Sequence, residues 1–259
     1  MKPLYNLFEL NGLESMVVNA SHMKALPGRK TDIKDAEWIA DLLRHGLLRA
    51  SYIPSRELRE LREITRCRKS LIEERAREIN RLQKILEGAN IKLSSVVTDI
   101  NGVSARKLLG KIVSDEAIAA DDVSEIIHGR MRPKLEQIVR SIEGITTPLQ
   151  RKLIAQIVSH IDDMTKRIAD MDDMVKGYMA EYEAAVAAVD EVVGIGRRSA
   201  EVIVSEIGTD MSRFPSAAHL CSWAGLCPGN HKSAGKRQHG KTTKGNKALK
   251  SILTQCAKS

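Results

Sequence analysis

Aromatic side chains are scarce: Phe, Trp and Tyr make up 3% of the 259 residues. A β-sandwich or barrel draws on aromatic and β-branched residues for its pleated faces, so this scarcity argues against an all-β fold. Long apolar runs are also missing, and nothing approaches the roughly 20 residues that a membrane-spanning helix needs. The opening Met1-Lys-Pro-Leu-Tyr5 lacks the basic, apolar and small-residue regions of a secretory signal. Four scattered cysteines, Cys67, Cys221, Cys227 and Cys256, in a chain without an export signal read as free thiols of a cytoplasmic protein.

Acidic residues are absent from one whole end. Residues 211–259 contain nine Lys and Arg and no Asp or Glu, while the chain as a whole carries a net charge of +8. The first 210 residues are therefore close to neutral. A single-sign block on a folded chain points to a polyanion partner, and few aromatics mean phosphate contacts rather than base stacking. The alternative is a solvated, disordered tail. Trp223, Leu226, Leu249, Ile252 and Leu253 speak against that, because they give the block something to bury.

What remains reads as mainly α. Residues 15–20 form a short apolar stretch with strand character. Residues 32–46 predict a helix with Ile33, Ala36, Ile39, Ala40 and Leu43 on one face and Gly46 as its stop. After an extended link at 51–54, Ser55 opens a long helix to about Glu87, closed by Gly88. Its ten basic and seven acidic residues read mostly as a solvated face, with Arg56–Glu60 and Arg59–Glu63 spaced for pairing. Residues 89–147 predict short helices broken by Gly102, Gly129, Pro133 and Gly144. From 149 to about 189 one long helix is expected. Its seam is Ile154, Ile157, Ile161, Met164, Ile168, Met171, Val175, Tyr178 and Tyr182, a 3.5-residue period that faces a partner helix. That partner is either the 55–87 helix or a second copy of the chain, so a homo-oligomer is expected.

Three motifs could carry chemistry. Asp32 and Asp35 lie three apart at a helix start, on one face, where two carboxylates can share Mg²⁺ and assist phosphodiester cleavage. Alternatively, Asp32 is an N-cap and Asp35 a favourable partner of the helix dipole. Gly194-Ile195-Gly196, flanked by helical segments, has the pattern of a helix-hairpin-helix, whose turn offers backbone N–H groups to a phosphate. The other reading is a tight turn inside a bundle. Ser233 sits in a small loop among Lys232, Lys236, Arg237, Lys241, Lys244 and Lys247. Cations there would favour negative charge on a bound phosphate, and a deprotonated serine could attack it; an ordinary loop serine is the alternative. His219, Cys221, Cys227 and His231 match no paired zinc-knuckle spacing.

Taken together, these segments resemble the insertion sequence 110 transposases, mobile-element DNA recombinases of the Asp-Glu-Asp-Asp type that include Piv-like recombinases. The resemblance is carried by Val18-Asn19-Ala20, Pro27-Gly-Arg-Lys-Thr-Asp-Ile-Lys-Asp-Ala-Glu-Trp38, Ala40-Asp-Leu-Leu-Arg-His-Gly-Leu-Leu48, Ile91-Lys-Leu-Ser-Ser95 and nearly everything from Val193 to Ala257. It implies a remnant of an RNase H-like (RuvC-like) α/β catalytic domain at 1–54, a helical coiled-coil region at 55–188, and a C-terminal transposase domain with the helix-hairpin-helix and basic tail at 189–259. It also implies that Asp32 and Asp35 match the last two acidic metal ligands, that Mg²⁺ is the cofactor, and that Ser233 matches the serine proposed to attack DNA. DNA is the implied partner, and a structured element-encoded guide RNA serves some members. Family proteins usually begin with a strand carrying the first Asp and a later Glu. Met1-Lys-Pro-Leu-Tyr5 matches residues just after that Glu, so a truncated chain with two of four ligands and weak Mg²⁺ binding is the expectation. The expected function is DNA strand cutting and rejoining, with a non-catalytic DNA-binding remnant or a coiled-coil interaction protein as alternatives.

Overall fold

A computed structural model describes residues 2–18, 32–48, 50–228, 232–233, 236–237, 242 and 244–259. The chain divides into two compact units, Met1–Glu57 and Leu58–Ser259. The described residues are mainly helical, and none of their helices is long and apolar enough to cross a membrane.

The first unit holds α1 (Lys2–Leu10) and α2 (Asp32–Arg44). At the end of α2 the Gly46 N–H donates to Leu43 O and the Leu47 N–H to Leu42 O. This closure needs a left-handed residue, and Gly46 supplies it with φ +67°. The face expected to be buried is corrected. Ala36, Ile39, Ala40 and Leu43 are exposed, whereas Leu42 is buried and Trp38, one turn before it, is half-buried. Apolar residues occur on both sides of α2, so periodicity alone does not choose between them. The strand expected over 15–20 reduces to one antiparallel bridge, Val18 to Ala50, with the Ser51 N–H donating to Val17 O at 2.6 Å. Pro54 has no N–H with which to extend such a ladder. Positions 19 and 20 lie outside the described residues. Among the described residues of this unit the strand pairing is that one bridge, and the RNase H-like remnant stays an expectation of the resemblance.

The second unit is organised by two long helices, α3 (Arg56–Gly88) and α8 (Pro148–Tyr178). They run antiparallel: Arg68 Nη1 donates to Asp172 Oδ1 at 3.0 Å, and Arg75 Nη1 to Thr165 Oγ1 at 3.3 Å. Helix α8 starts where its sequence says it should. Pro148 follows the N-cap Thr147, whose hydroxyl accepts from the Gln150 N–H while the Gln150 side chain accepts from the Thr147 N–H. Between the long helices come α4 (Leu93–Val96), α5 (Val103–Val113), α6 (Ala120–Ile126), a 3₁₀ turn (Gly129–Lys134) and α7 (Leu135–Ser141). They close a core with Leu82 and Leu86 of α3 and Ile154, Ile157, Ile161 and Met164 of α8.

The α8 seam is buried at Ile154, Ile157, Ile161, Met164, Ile168 and Val175, and it is filled from within the chain. Beyond Val175 the expected spacing fails: Tyr178 is 50% exposed and Met179 is fully buried in its place. A helix with 3.6 residues per turn drifts away from a strict 3.5 repeat, so the inward position slips by one. The single long helix expected over 149–189 also breaks here, into a 3₁₀ turn (Ala180–Tyr182) and α9 (Glu183–Asp190).

Helix α10 (Arg197–Ile207) follows and is buried at every residue from Ala200 to Ile207. One side packs with Leu58, Leu61, Val175, Met179 and Val186, and the other with Ala224, Leu249 and Ile252. The last two belong to α12 (Lys247–Cys256), and Ala224 ends α11 (Ala217–Ala224). Between α11 and α12 lies a two-stranded antiparallel hairpin, β1 (Lys232–Ser233) and β2 (Lys236–Arg237). Because the seam is internal, Ile161→Ala should cost about 2–5 kcal/mol of stability through the cavity it leaves. Urea denaturation should show that loss unchanged on tenfold dilution of the protein; a concentration-dependent midpoint would place the seam between chains.

Candidate nucleic-acid interface

The C-terminal segments are held by a charged face of α10 that is turned inward. Glu201, Ser205 and Glu206 are all buried there. Helix α3 supplies the partners, so its charges are not simply a solvated face: Arg59, Arg68 and Glu78 are buried as well. Arg66 grips the Glu206 carboxylate with two bonds, Nε to Oε1 at 2.7 Å and Nη2 to Oε2 at 2.8 Å. That grip raises the Arg66 guanidinium pKa above its ordinary value. Arg62 Nε donates to Ser205 O at 2.9 Å and its Nη2 to Glu206 O, giving a cation to the last turn of α10, where carbonyls lack helical partners. Arg68 Nη1 reaches both Glu201 Oε2, at 2.7 Å, and Asp172. Carboxylates set among Ala200, Val202, Ile203, Val204 and Ile207 are a signal readable in the sequence, since buried charges demand partners.

The turn between α9 and α10 spans residues 191–196. Ala200 is fully buried where the two helices meet, the small residue that close packing requires. Gly194 has φ +87°, and a Cβ there would lie 2.9 Å from Cys256 O at the end of α12. The Ile195 N–H already donates to Val192 O at 2.9 Å, so it is not offered to a ligand. The N–H groups of Gly196, Arg197 and Arg198 find no acceptor among the described residues, which leaves them as the donors of this turn. The two arginine side chains are engaged: Arg197 bonds both oxygens of Glu183 at 2.5 Å and also Glu201, and Arg198 pairs with Asp172. Arg197 holds the Glu183 carboxyl below its usual range, and its own pKa rises in return.

Ser233 stands on a strand rather than in a loop. Its backbone pairs with Lys236, and Lys232 pairs with Arg237. An antiparallel bridge from Pro228 to Thr242 closes the segment further back. Lys244 and Lys247 are exposed, and Lys250 donates to Thr242 Oγ1. Lys241 and His231 lie outside the described residues. The 194–196 turn meets the C-terminal end of α12, whereas Lys247 opens that helix; ten residues of helix, about 15 Å, separate them. Asp32 and Asp35 fall in the first turn of α2, in the first unit. Two carboxylates three apart on a helix form a donor set that fits a hard divalent ion retaining much of its water. Among the described residues no group of three or more His, Cys, Asp or Glu could hold a metal, and His219 Nδ1 is hydrogen-bonded to Ser216 Oγ at 2.8 Å.

Two family models match the chain, one at each end. A DEDD-type "Transposase" family model of the IS110 class matches residues 1–91, and the "Transposase IS116/IS110/IS902 family" model matches residues 186–259. The chain belongs to the IS110 family of transposases. It is 27% identical over 264 aligned residues to the "Putative transposase y4qE" of Sinorhizobium fredii, an alignment covering 98% of this chain and 54% of that protein. It is 28% identical over 245 residues to the "Insertion element IS110 uncharacterized 43.6 kDa protein" of Streptomyces coelicolor, covering 88% and 60%. This IS110-family chain thus spans a little over half the length of the curated relatives it matches. No solved structure is significantly similar to it.

The Glu183–Arg197 pair gives a pH dependence. A carboxyl held low in the folded state stabilises above its unfolded pKa, and that stability is lost as pH falls through the folded value. The stability difference between Glu183→Gln and the parent chain should therefore be present at pH 7 and shrink toward zero at pH 3. Urea midpoints at the two pH values measure it, and a difference that persists in acid would rule the pair out as its source.

Proposed function

We propose that this IS110-family chain binds duplex DNA through residues 189–259 and takes part in cutting and rejoining strands during transposition. The observation that carries the reading is the run of nine cations without a single anion over 211–259. The donors of Gly196, Arg197 and Arg198 and the paired strands at 232–237 support it. All these groups suit phosphates and read no base edges, so sequence preference should be weak. A structured RNA would meet the same cations. The three-part organisation at 1–54, 55–188 and 189–259 is proposed with it. A homo-oligomer would have to use a surface other than the buried α8 seam.

For strand transfer, Ser233 Oγ would form a bond to a phosphodiester phosphorus, lose its proton and release one DNA oxygen. The hairpin pairing sets Lys236 directly across from Ser233, where a cation favours the charge that develops on phosphate. Separately, Asp32 and Asp35 of the first unit would hold a divalent ion, which when bound supplies positive charge to a DNA phosphate. Binding without catalysis is the second reading, favoured by the basic 211–259 segment, whose charge accounts for binding without any chemical step.

Lys236, Arg237 and Lys241 replaced together by Ala should weaken binding to all duplexes alike and flatten the salt slope by up to about three units. Fluorescence anisotropy over a salt series reads both; an unchanged slope would remove these side chains from the interface. Ser233→Ala should leave binding nearly unchanged yet abolish strand transfer in a transposition-competent version carrying this C-terminal region. Parental transfer rates would return Ser233 to an ordinary hairpin serine.

A further inference from the structure

The Ser233 hairpin hangs from a loop whose two ends are drawn together at one place. Gly245 lies so close to the last turn of α11 that a Cβ on it would sit 2.3 Å from Gly225 N and 2.5 Å from Ala224 C. Gly225 itself ends α11 in the left-handed region, with φ +75°. The next residue, Asn246, makes five hydrogen bonds, one of them from the Lys250 N–H to its carbonyl at 2.9 Å. Its N–H donates to Trp223 O at 3.2 Å, back to α11. Its Oδ1 accepts from the Ala248 and Leu249 N–H groups, each at 3.1 Å, as the N-cap of α12. Its Nδ2 donates to Glu206 Oε2 at 2.6 Å. Glu206 is fully buried and is held in turn by Arg66 of α3.

We infer that Asn246 and Glu206 are positioning residues that fix the 232–237 hairpin to the helical core. Everything between Gly225 and Gly245 leaves and re-enters through this clamp. A β-hairpin of two residues per strand has little stability of its own, so its orientation depends on what holds its base. The carboxylate of Glu206 accepts from Arg66 and Asn246 together, so the core helices and the hairpin base share one buried anchor. Asn246 caps and donates at once: Asp would cap α12 equally well but would turn a carboxylate toward a buried carboxylate, and Ala would lose all three side-chain bonds.

That this matters for DNA rests on the function proposed for the hairpin. The test below contains no DNA, so the clamp and the Ser233 role can fail separately. Amide hydrogen exchange is followed by mass spectrometry in the full chain for Asn246→Ala, Asn246→Asp and the double variant Glu206→Gln/Asn246→Asp. The double variant exchanges donor and acceptor across the contact while keeping one amide and one carboxylate there. Both single variants should speed exchange of 232–237 by about tenfold or more while residues 200–207 of α10 stay within about threefold of the parent chain. The double variant should bring the hairpin back to within about threefold of the parent. The inference is overturned by parental hairpin exchange in Asn246→Asp. It is equally overturned by acceleration of α10 matching that of the hairpin, or by a double variant no better protected than Asn246→Asp alone.

Discussion

A carboxylate taken fully out of water must be paired and hydrogen-bonded, or it costs several kcal/mol. Glu206 is in that position, and the second unit is arranged around meeting its demand. Arg66 comes from α3, Asn246 from the start of α12, and Arg62 covers the carbonyls next to it. Two segments far apart in sequence, α3 and the start of α12, are thereby fixed to the last turn of α10. Apolar contacts on the other sides of α10 supply burial but are tolerant of sliding. The hydrogen bonds to Glu206, and those of Arg68 to Glu201 and Asp172, are directional and select one register.

Two groups of cations in the second unit consequently contrast. Arg62, Arg66, Arg68, Arg197 and Arg198 are committed to carboxylates or carbonyls of the helical core. The cations of 211–259 have no acidic neighbour within their own segment, and among them Arg213 pairs with Asp210 just before it at 2.9 Å. On the function proposed above, phosphate recognition would fall to the second group, basic side chains mounted on a frame whose buried carboxylates are paired. The exposed Arg198–Asp172 pair contributes little to stability and would compete weakly with a phosphate arriving at the start of α10.

Much of this was legible from residue order. The long α3 and α8 helices, the stop at Gly46, the α9–turn–α10 motif and the terminal helix carrying Leu249 and Ile252 all follow from periodicity and capping chemistry. The family, too, was readable from its motifs. The departures have separate causes. Met179 replaces Tyr178 in the core because helical drift accumulates over a long seam. The charges of α3 split into buried and solvated sets because burial depends on which partner arrives, and Glu206 lies 140 residues from Arg66. Ser233 reads as a loop residue because strands of two residues carry no periodic signal. Asn246 falls within the Val193–Ala257 stretch that carries the family resemblance, but its link to Glu206 is a tertiary contact that local spacing does not encode.

The central claim, that a buried ion pair ties α10 to α3, is tested most directly by a double-mutant cycle. Urea unfolding of the parent chain, Glu206→Gln, Arg66→Met and the double variant yields the coupling between the two side chains. The account predicts a favourable coupling of about 1 kcal/mol or more, reduced from the fully buried case because Arg66 is half exposed. A coupling indistinguishable from zero would mean that the two helices are held by apolar packing alone, and would contradict it.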